Sequence, residues 1–364
     1  MPKFQGNMSV GIVLPPNFNH PIGGYKVHYT LANELARRGN HVTVMHLLCT
    51  SSPSVTDRVK LLRDRAFHRS AQSRITWHPF EASVRFQRIR NANRIPARDL
   101  VILTGWQTVP NVKNARAAHV QVVYDLEHWH EADELARESM RAAFSMPGVT
   151  RVATSKAVAR MLGEVGASHS GIFPPGVDSP LNRPANAVQR AGMVLFPLRH
   201  GNSKGGDVAV AAASLIHAMV PEVEIVAFGT AAPPAGSSID FRGLVSDQQL
   251  QQLLGRAAVF FVASRAEGFG LPALEAMAAG CCVVTTNNGG SEEYAIDRQN
   301  CLVVPPGDPH ALAAAVVELL QDDSLRERVA WEGAVTAQGH SSSEAFKALA
   351  EHILSIHAGL EDGR

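Results

Sequence analysis

Two carboxylates, a glycine turn and a proline fall together in the stretch RAEGFGLPALEAMAAG, where seven residues separate Glu267 from Glu275. The apolar run VFFVAS precedes it and reads as a buried strand. Gly268, Phe269 and Gly270 then form a turn that lets backbone approach a ligand closely, and Pro272 opens a helix where its missing N–H costs nothing. The amides of Gly270, Leu271 and Ala273 sit at the N-terminus of that helix, where unpaired N–H groups and partial positive charge suit phosphate. Glu275, one turn inside the helix, is placed to accept two hydrogen bonds from a ribose diol. Glu267, ahead of the turn, is placed to accept those of a sugar beyond a pyrophosphate. Without a ligand, the same stretch is an ordinary strand, turn and helix with surface glutamates.

A second group lies in VLFPLRHGNSKGGDVAVAAA, where Arg199 and Lys204 flank a flexible loop between a strand and a helix. Two cations on such a loop can converge on a pyrophosphate, although a solvated basic loop has the same composition. The charge that develops on a leaving pyrophosphate must be stabilised by a metal or by Arg and Lys. The sequence holds no Asp-x-Asp pair, so the Arg/Lys route is the expected one, with no metal and no cofactor. Glu127, His128 and His130 could be read as metal ligands, but no cysteine or third ligand stands near them, and no metal site is assigned.

The elements that must position these residues alternate along the chain. Met8–Leu14 reads as a strand, Tyr25–Arg38 as a helix ended by Gly39, and His41–Leu48 as a strand, which together make a βαβ unit. Asp99–Thr104 and Val120–Tyr124 are further strands. The segment 174–190, rich in Pro and Asn, reads as a linker. The pattern then restarts with strands at Met193–Pro197, Val223–Phe228, Ala258–Ala263 and Cys282–Thr285. The helices between and after them are Asp207–Met219, Asp247–Leu254, Leu271–Ala279 and His310–Gln321. Ser341–Glu344 reads as a capping box before a last amphipathic helix. Such a chain is α/β, with two Rossmann-like parallel-sheet domains facing each other across a cleft, and ligands belong outside the carboxyl ends of the strands.

At 364 residues the chain has the length of two domains, and its mean hydropathy of −0.03 fits a soluble globular protein. No apolar run approaches the length of a membrane span. Met1–Val10 lacks the features of a signal peptide, and the four cysteines lack metal-ligand spacing, so a cytoplasmic protein with reduced thiols is expected. The net charge of +1 hides an asymmetry. Residues 1–182 carry 22 Lys/Arg against 13 Asp/Glu (+9), and residues 183–364 carry 12 against 20 (−8). Most of the basic excess lies in 58–98, where 11 Lys/Arg face only Asp64 and Glu81. This stretch reads either as a charged face beside core residues or as a surface for anionic membrane at the inner face. No nucleic-acid-binding motif is present, and no nucleic-acid partner is expected.

These motifs together resemble the retaining family 4 glycosyltransferases of the GT-B fold. EGFGLPALEAMAAG is similar to the family hallmark, and Pro175-Gly176-Val177-Asp178 to its interdomain PNGVD. Arg199 and Lys204 match its diphosphate-binding pair, and Phe241–Leu250, with Leu244 and Val245, its loop and helix beside the nucleobase. Gly23-Gly24 matches the loop that closes over the donor phosphate, and Gly289-Gly290 with the stretch to Asp308 matches the tail. The resemblance is dense in the C-terminal half and sparse in the N-terminal half. It implies an acceptor domain over 1–180, a nucleotide-sugar domain over 181–342 and a helix over 343–364 crossing back. It also implies transfer of a sugar from a nucleotide-diphosphate sugar to a hydroxyl of a glycan, lipid-linked saccharide or small molecule. That transfer would retain configuration at the anomeric carbon, use no metal and no protein nucleophile, and draw on Glu267, Arg199 and Lys204. Cys282 replaces the usual proline of one strand. Where the family has His-Asp, this chain has Tyr124-Asp125-Leu126-Glu127-His128, similar to the QDYE segment of bacterial rhamnosyltransferases, so Asp125, Glu127 and His128 are candidates on the acceptor or sugar side. A sugar-nucleotide epimerase, which needs no acceptor, and a non-catalytic sugar-nucleotide-binding protein remain as rivals.

Overall fold

The computed structural model describes residues 7–15, 23–47, 75, 77–89, 95–109, 117–178 and 192–362. The first six strands form one sheet: β1 (Ser9–Leu14), β2 (His41–Leu47), β3 (Arg85–Ile89), β4 (Leu100–Thr104), β5 (Ala118–Val123) and β6 (Val149–Ala153). Their order is β3-β2-β1-β4-β5-β6, and every neighbouring pair is parallel. Val, Ile and Leu make up most of β1 and β4, and β5 is buried along its whole length, because helices cover both faces and leave no solvated side. Among those helices are α1 (Gly23–Arg37), α2 (Leu126–Glu131), α3 (Glu134–Phe144) and α4 (Lys156–Glu164).

The second sheet holds β7 (Met193–Leu198), β8 (Glu224–Gly229), β9 (Asp240–Phe241), β10 (Val259–Val262), β11 (Cys282–Thr286) and β12 (Leu302–Val304). Its order is β12-β11-β10-β7-β8-β9, again parallel throughout. The helices of this half are α5 (Gly206–Met219), α6 (Asp247–Arg256), α7 (Leu271–Ala278), α8 (Pro309–Gln321) and α9 (Asp323–Gln338). Phe196 stacks on Phe261 with ring centroids 4.5 Å apart, in a core that α5 and α8 close on one face.

After α9 the chain returns to the first sheet. Val177 donates to the His340 carbonyl (2.9 Å) and accepts from the Ser342 amide (3.0 Å), so the stretch between the sheets and the returning strand cross here. Phe346, Leu349, Ala350 and Ile353 of α10 (Ser342–Asp362) then join the core of Val10, Ile12, Leu31 and Leu35. The Ser341 capping box is half made: the Glu344 amide lies 3.5 Å from Ser341 Oγ. A complete box forms instead between Ser246 and Gln249 at the start of α6, where the sequence pattern was not read as one.

Two strands were hidden by their charges. β3 lies inside the basic stretch 58–98, as an edge strand with Arg85 exposed and Ile89 buried. Ile75 and Val84 are also buried, and Trp77, Phe80 and Phe86 pack against the core, so the described part of the stretch is a charged face beside core residues. Residues 58–74, 76 and 90–94 lie outside the described residues, as do most of the linker 174–190 and Cys49. β6 carries Arg151 at its centre. Its guanidinium is buried and donates to the carbonyls of Met146 (2.7 Å) and Val149 (2.9 Å), which satisfies a charge that would otherwise exclude it from a core strand. Among the described residues no helix is long and apolar enough to cross a membrane.

Candidate active site

The loops at the carboxyl ends of β5, β7 and β10 meet between the two sheets. From β10 the chain runs through Ser264 and Glu267 into Gly268 and Gly270. Gly270 has φ 87°, a left-handed conformation that caps α7 and favours glycine. A Cβ on Gly268 would stand 2.7 Å from the Tyr124 carbonyl at the end of β5, so only glycine lets the two halves approach this closely. Tyr294 Oη donates to the Gly270 carbonyl (2.7 Å) and holds the turn. Ala273 donates to that carbonyl as well (3.2 Å). The expected trio of anion-facing amides is therefore reduced, because the first turn of α7 uses Ala273. Gly270 and Leu271 keep theirs without a protein acceptor among the described residues.

From β7 the chain passes Arg199 and Gly201 into a single 3₁₀ turn, Asn202–Lys204, and then α5. Arg265 braces this turn, pairing with both oxygens of Asp207 (2.8 and 2.6 Å) and donating to the Asn202 carbonyl (2.9 Å). Arg199 and Lys204 do converge, and among the described residues they converge on carboxylates. Glu267 accepts from Ser264 Oγ (2.7 Å), from Arg199 (3.2 Å) and from Lys204 Nζ (3.0 Å). Lys204 Nζ also donates to Glu127 Oε1 at 2.6 Å, across the gap from α2. Burial works against ionisation of Glu267, but Lys204 and Arg199 outweigh it and hold the carboxyl down at about 2. Glu127 goes the other way. Burial and the charge of Glu267 raise it to about 7 against the pull of Lys204. The difference has a simple cause: Glu267 has two cations and a hydroxyl, Glu127 has one shared cation, and of the two carboxyls Glu127 is the first to take up a proton as pH falls.

The other candidates fall around this cluster. Asp125 is buried with its Oδ1 3.3 Å from His128 Nδ1, and this contact raises the histidine above its ordinary value. Gly24, in the first turn of α1, packs against the Tyr124 ring. Leu244 is exposed in the loop before α6, with Val245 beside it. Among the described residues no group of three His, Cys, Asp or Glu is arranged to hold a metal. Cys281, Cys282 and Cys301 are buried.

Glu275 is where sequence reasoning fell short. Its Oε1 accepts from Lys26 Nζ of α1 at 2.7 Å, so the presumed ribose ligand is shared with the other domain. Glu131 Oε1 accepts from the Ser203 amide (2.7 Å), and Arg160 pairs with Glu292 (2.7 Å) beside a contact of Lys156 with Glu293. The residues of these pairs lie 72 to 249 positions apart, and nothing local marks them as partners. His46 and His78, with Tyr25, Tyr29 and Trp77, form an aromatic group beside α1, buried at Tyr25, Tyr29 and His46 and half-buried at Trp77 and His78, in which burial lowers both histidines to about 4. Lys26, Asp178 and Asp247 all act electrostatically on His78, which places this group next to the gap between the sheets.

Residues 191–322, the body of the second sheet, match the family model described as glycosyl transferases group 1. The solved structures with the same architecture include a sucrose-phosphate synthase from Thermosynechococcus elongatus (TM-score 0.73, 18% identity, 99% of this chain and 100% of that one). Another is HepE of Anabaena in complex with UDP and glucose (TM-score 0.73, 15% identity, 96% and 100%). The fold is GT-B. Among curated relatives, O-antigen chain mannosyltransferase B of Escherichia coli is 38% identical over 108 residues, 30% of this chain and 26% of its own. A D-inositol 3-phosphate glycosyltransferase of Thermomonospora curvata is 28% identical over 227 residues, 53% of this chain and 52% of its own. The chain thus spans about a quarter to a half of the length of these relatives. The GT-B arrangement accounts for the meeting of the β5, β7 and β10 loops: each sheet presents its carboxyl edge to the other.

Proposed function

We propose that this chain transfers a glycosyl group from a nucleotide-diphosphate sugar to a hydroxyl acceptor. The observation that carries the reading is the convergence of Arg199 and Lys204 on Glu267 beside the free amides of Gly270 and Leu271. Two cations and a helix N-terminus suit a diphosphate, and a buried carboxylate beside them suits the sugar it carries. Glu275 keeps Oε2 for a ribose hydroxyl while Lys26 holds Oε1. As the sugar–phosphate bond breaks, positive character grows on the sugar near Glu267 and negative charge on the diphosphate near Arg199 and Lys204. Both partners stand in place before the reaction, the arrangement that lowers a barrier most. Charge neutralisation by these two side chains supports transfer without metal. The half-buried Trp77 and His78 beside α1 suit a saccharide acceptor, which stacks on rings and hydrogen-bonds to neutral imidazole.

Matched relatives are named mannosyltransferases, and Tyr124–Glu127 resembles a rhamnosyltransferase segment, so GDP-mannose and dTDP-rhamnose head the donors to try. The test is a melting screen over UDP, GDP and dTDP and their sugars, followed by a transfer assay with the stabilising donor. A ligand that binds the native state raises the melting temperature by mass action. No stabilisation by any of them would overturn the reading. Release of an altered nucleotide sugar without acceptor would favour the epimerase instead, and binding without turnover a purely binding role.

A further inference from the structure

Lys204 holds two carboxylates from opposite sides of the gap, Glu127 at 2.6 Å and Glu267 at 3.0 Å. If Lys204 binds the diphosphate of a donor, Glu127 already occupies the place of that anion. The two glutamates differ in what else they have. Arg199 and Ser264 keep hold of Glu267 when Lys204 turns to a new anion. Glu127 has no other lysine or arginine hydrogen-bonded to it among the described residues. The groups that face it are Lys204 from the turn after β7, Glu267 from the loop after β10 with Arg199 behind it, and Tyr124 and His128 from its own side, the histidine in contact with Asp125. Glu267 is the carboxylate beside it, so Glu127 deprived of Lys204 loses its hydrogen-bonded cation and keeps a like charge for a neighbour.

We propose that Glu127 is a displaceable counter-ion of Lys204: the diphosphate of the donor takes over the ammonium, and Glu127 accepts one proton from solvent as it is released. This rests on the donor reading above. The Lys204–Glu127 ion pair breaks, an ion pair from Lys204 to the phosphate forms, and a proton goes to the Glu127 carboxyl. No other bond changes. Burial and the charge of Glu267 already push the Glu127 carboxyl up to about 7 while Lys204 is still on it. Exchanging that cation for a nearby phosphate moves it further up. Binding therefore takes up a proton in the window from about pH 7 upward, and weakens as pH rises. Ligand-free, the pair shields a two-cation site and ties α2 to the α5 turn; with donor bound, the tie is released.

The test compares the wild type with Glu127→Gln, a neutral side chain that copies the protonated form. Calorimetry with UDP, GDP, dTDP and inorganic pyrophosphate, at pH 6 and pH 8 and in two buffers of different ionisation enthalpy, gives affinity and protons exchanged. Proton exchange by the ligand's own phosphate is common to both proteins and cancels in the difference. At pH 8, one unit above the titration, the variant should bind about tenfold more tightly than the wild type, and at pH 6 the two should agree. The wild type should take up more protons than the variant. Weaker binding by the variant at both pH values would overturn the proposal and make Glu127 a direct ligand contact. Equal affinities with equal proton counts would overturn it as well, and in both cases the donor reading stands. If neither folded protein binds any nucleotide or pyrophosphate, the donor reading and this proposal fall together. The melting curve of the variant reports its folding separately.

Discussion

Replacing Glu267 by Gln tests the centre of the site, because the shape is kept and one charge is lost. In the wild type its oxygens take three hydrogen bonds, two of them from cations. Gln keeps an acceptor toward Ser264 and Arg199 but presents an NH₂ donor to the Lys204 ammonium. The folded protein holds the Glu267 carboxyl at about 2 against an ordinary 4.5, a preference for the charged form of about 3 kcal/mol. Breaking a fully buried pair costs about 3–5 kcal/mol, but Lys204 keeps Glu127 and the Arg199 side chain is 31% exposed, so the expected loss is about 2–4 kcal/mol. At about 2–4 °C per kcal/mol for a domain of this size, the melting temperature should fall by roughly 5–15 °C. Turnover should fall too, by about ten- to a hundredfold, if the carboxylate faces positive charge developing on the sugar. Affinity for the bare nucleotide diphosphate should hardly change, since that ligand has no sugar. Thermal melts, calorimetry and an assay with saturating donor measure the three quantities. A melting temperature within a degree of the wild type, with unchanged turnover, would refute the reasoning, because it would mean that the two cations do not need this carboxylate.

Glu275→Gln should do the opposite to binding. A hydrogen bond to a charged group is worth roughly 1.5–3 kcal/mol, so the bare nucleotide diphosphate should bind about tenfold or more weakly, whereas an unchanged affinity would remove Glu275 from the ribose. Arg199→Ala should cost about 2–4 kcal/mol of transition-state stabilisation, mostly in kcat, and wild-type transfer should persist in excess EDTA. Activity lost in EDTA and restored by Mg²⁺ or Mn²⁺ would count against these cations as the charge-neutralising pair. Stability should also report Glu127. Its folded value of about 7 lies above the unfolded 4.5, so the native state binds the extra proton, and the stabilisation present below pH 4.5 disappears as pH rises to 7. Relative to Glu127→Gln, the wild type should therefore lose stability between pH 4.5 and 7 in denaturant titrations. Taking the difference cancels the buried histidines, which titrate in both proteins, and a flat difference would show that Glu127 is not perturbed.

What the sequence determined by itself is what short-range physics dictates. An apolar run buried on both faces must be a strand, so β1, β4, β5, β7, β10 and β11 were legible within a residue or two of their ends. Gly270 and Pro272 mark a left-handed cap and a helix start because few other residues tolerate those positions. β3 and β6 escaped because arginines interrupt their apolar pattern, and only the fold shows that Arg151 finds carbonyl acceptors inside the protein. The tertiary structure alone decided which charges meet. Lys26 and Glu275 lie 249 residues apart, and Lys204 and Glu127 lie 77 apart. An ion pair between domains depends on how two sheets face each other, which leaves no periodicity or spacing in the chain. The amphipathic pattern of α10 by itself showed only that it packs against something, because one apolar stripe fits many apolar surfaces; its return toward the first sheet came from the family resemblance, and the fold shows which core residues it meets. Glu127 is the sharpest case. Its type and its place after the fifth strand were visible, yet its raised titration comes from burial and from Glu267, against the pull of Lys204, both of which reach it from loops of the other domain.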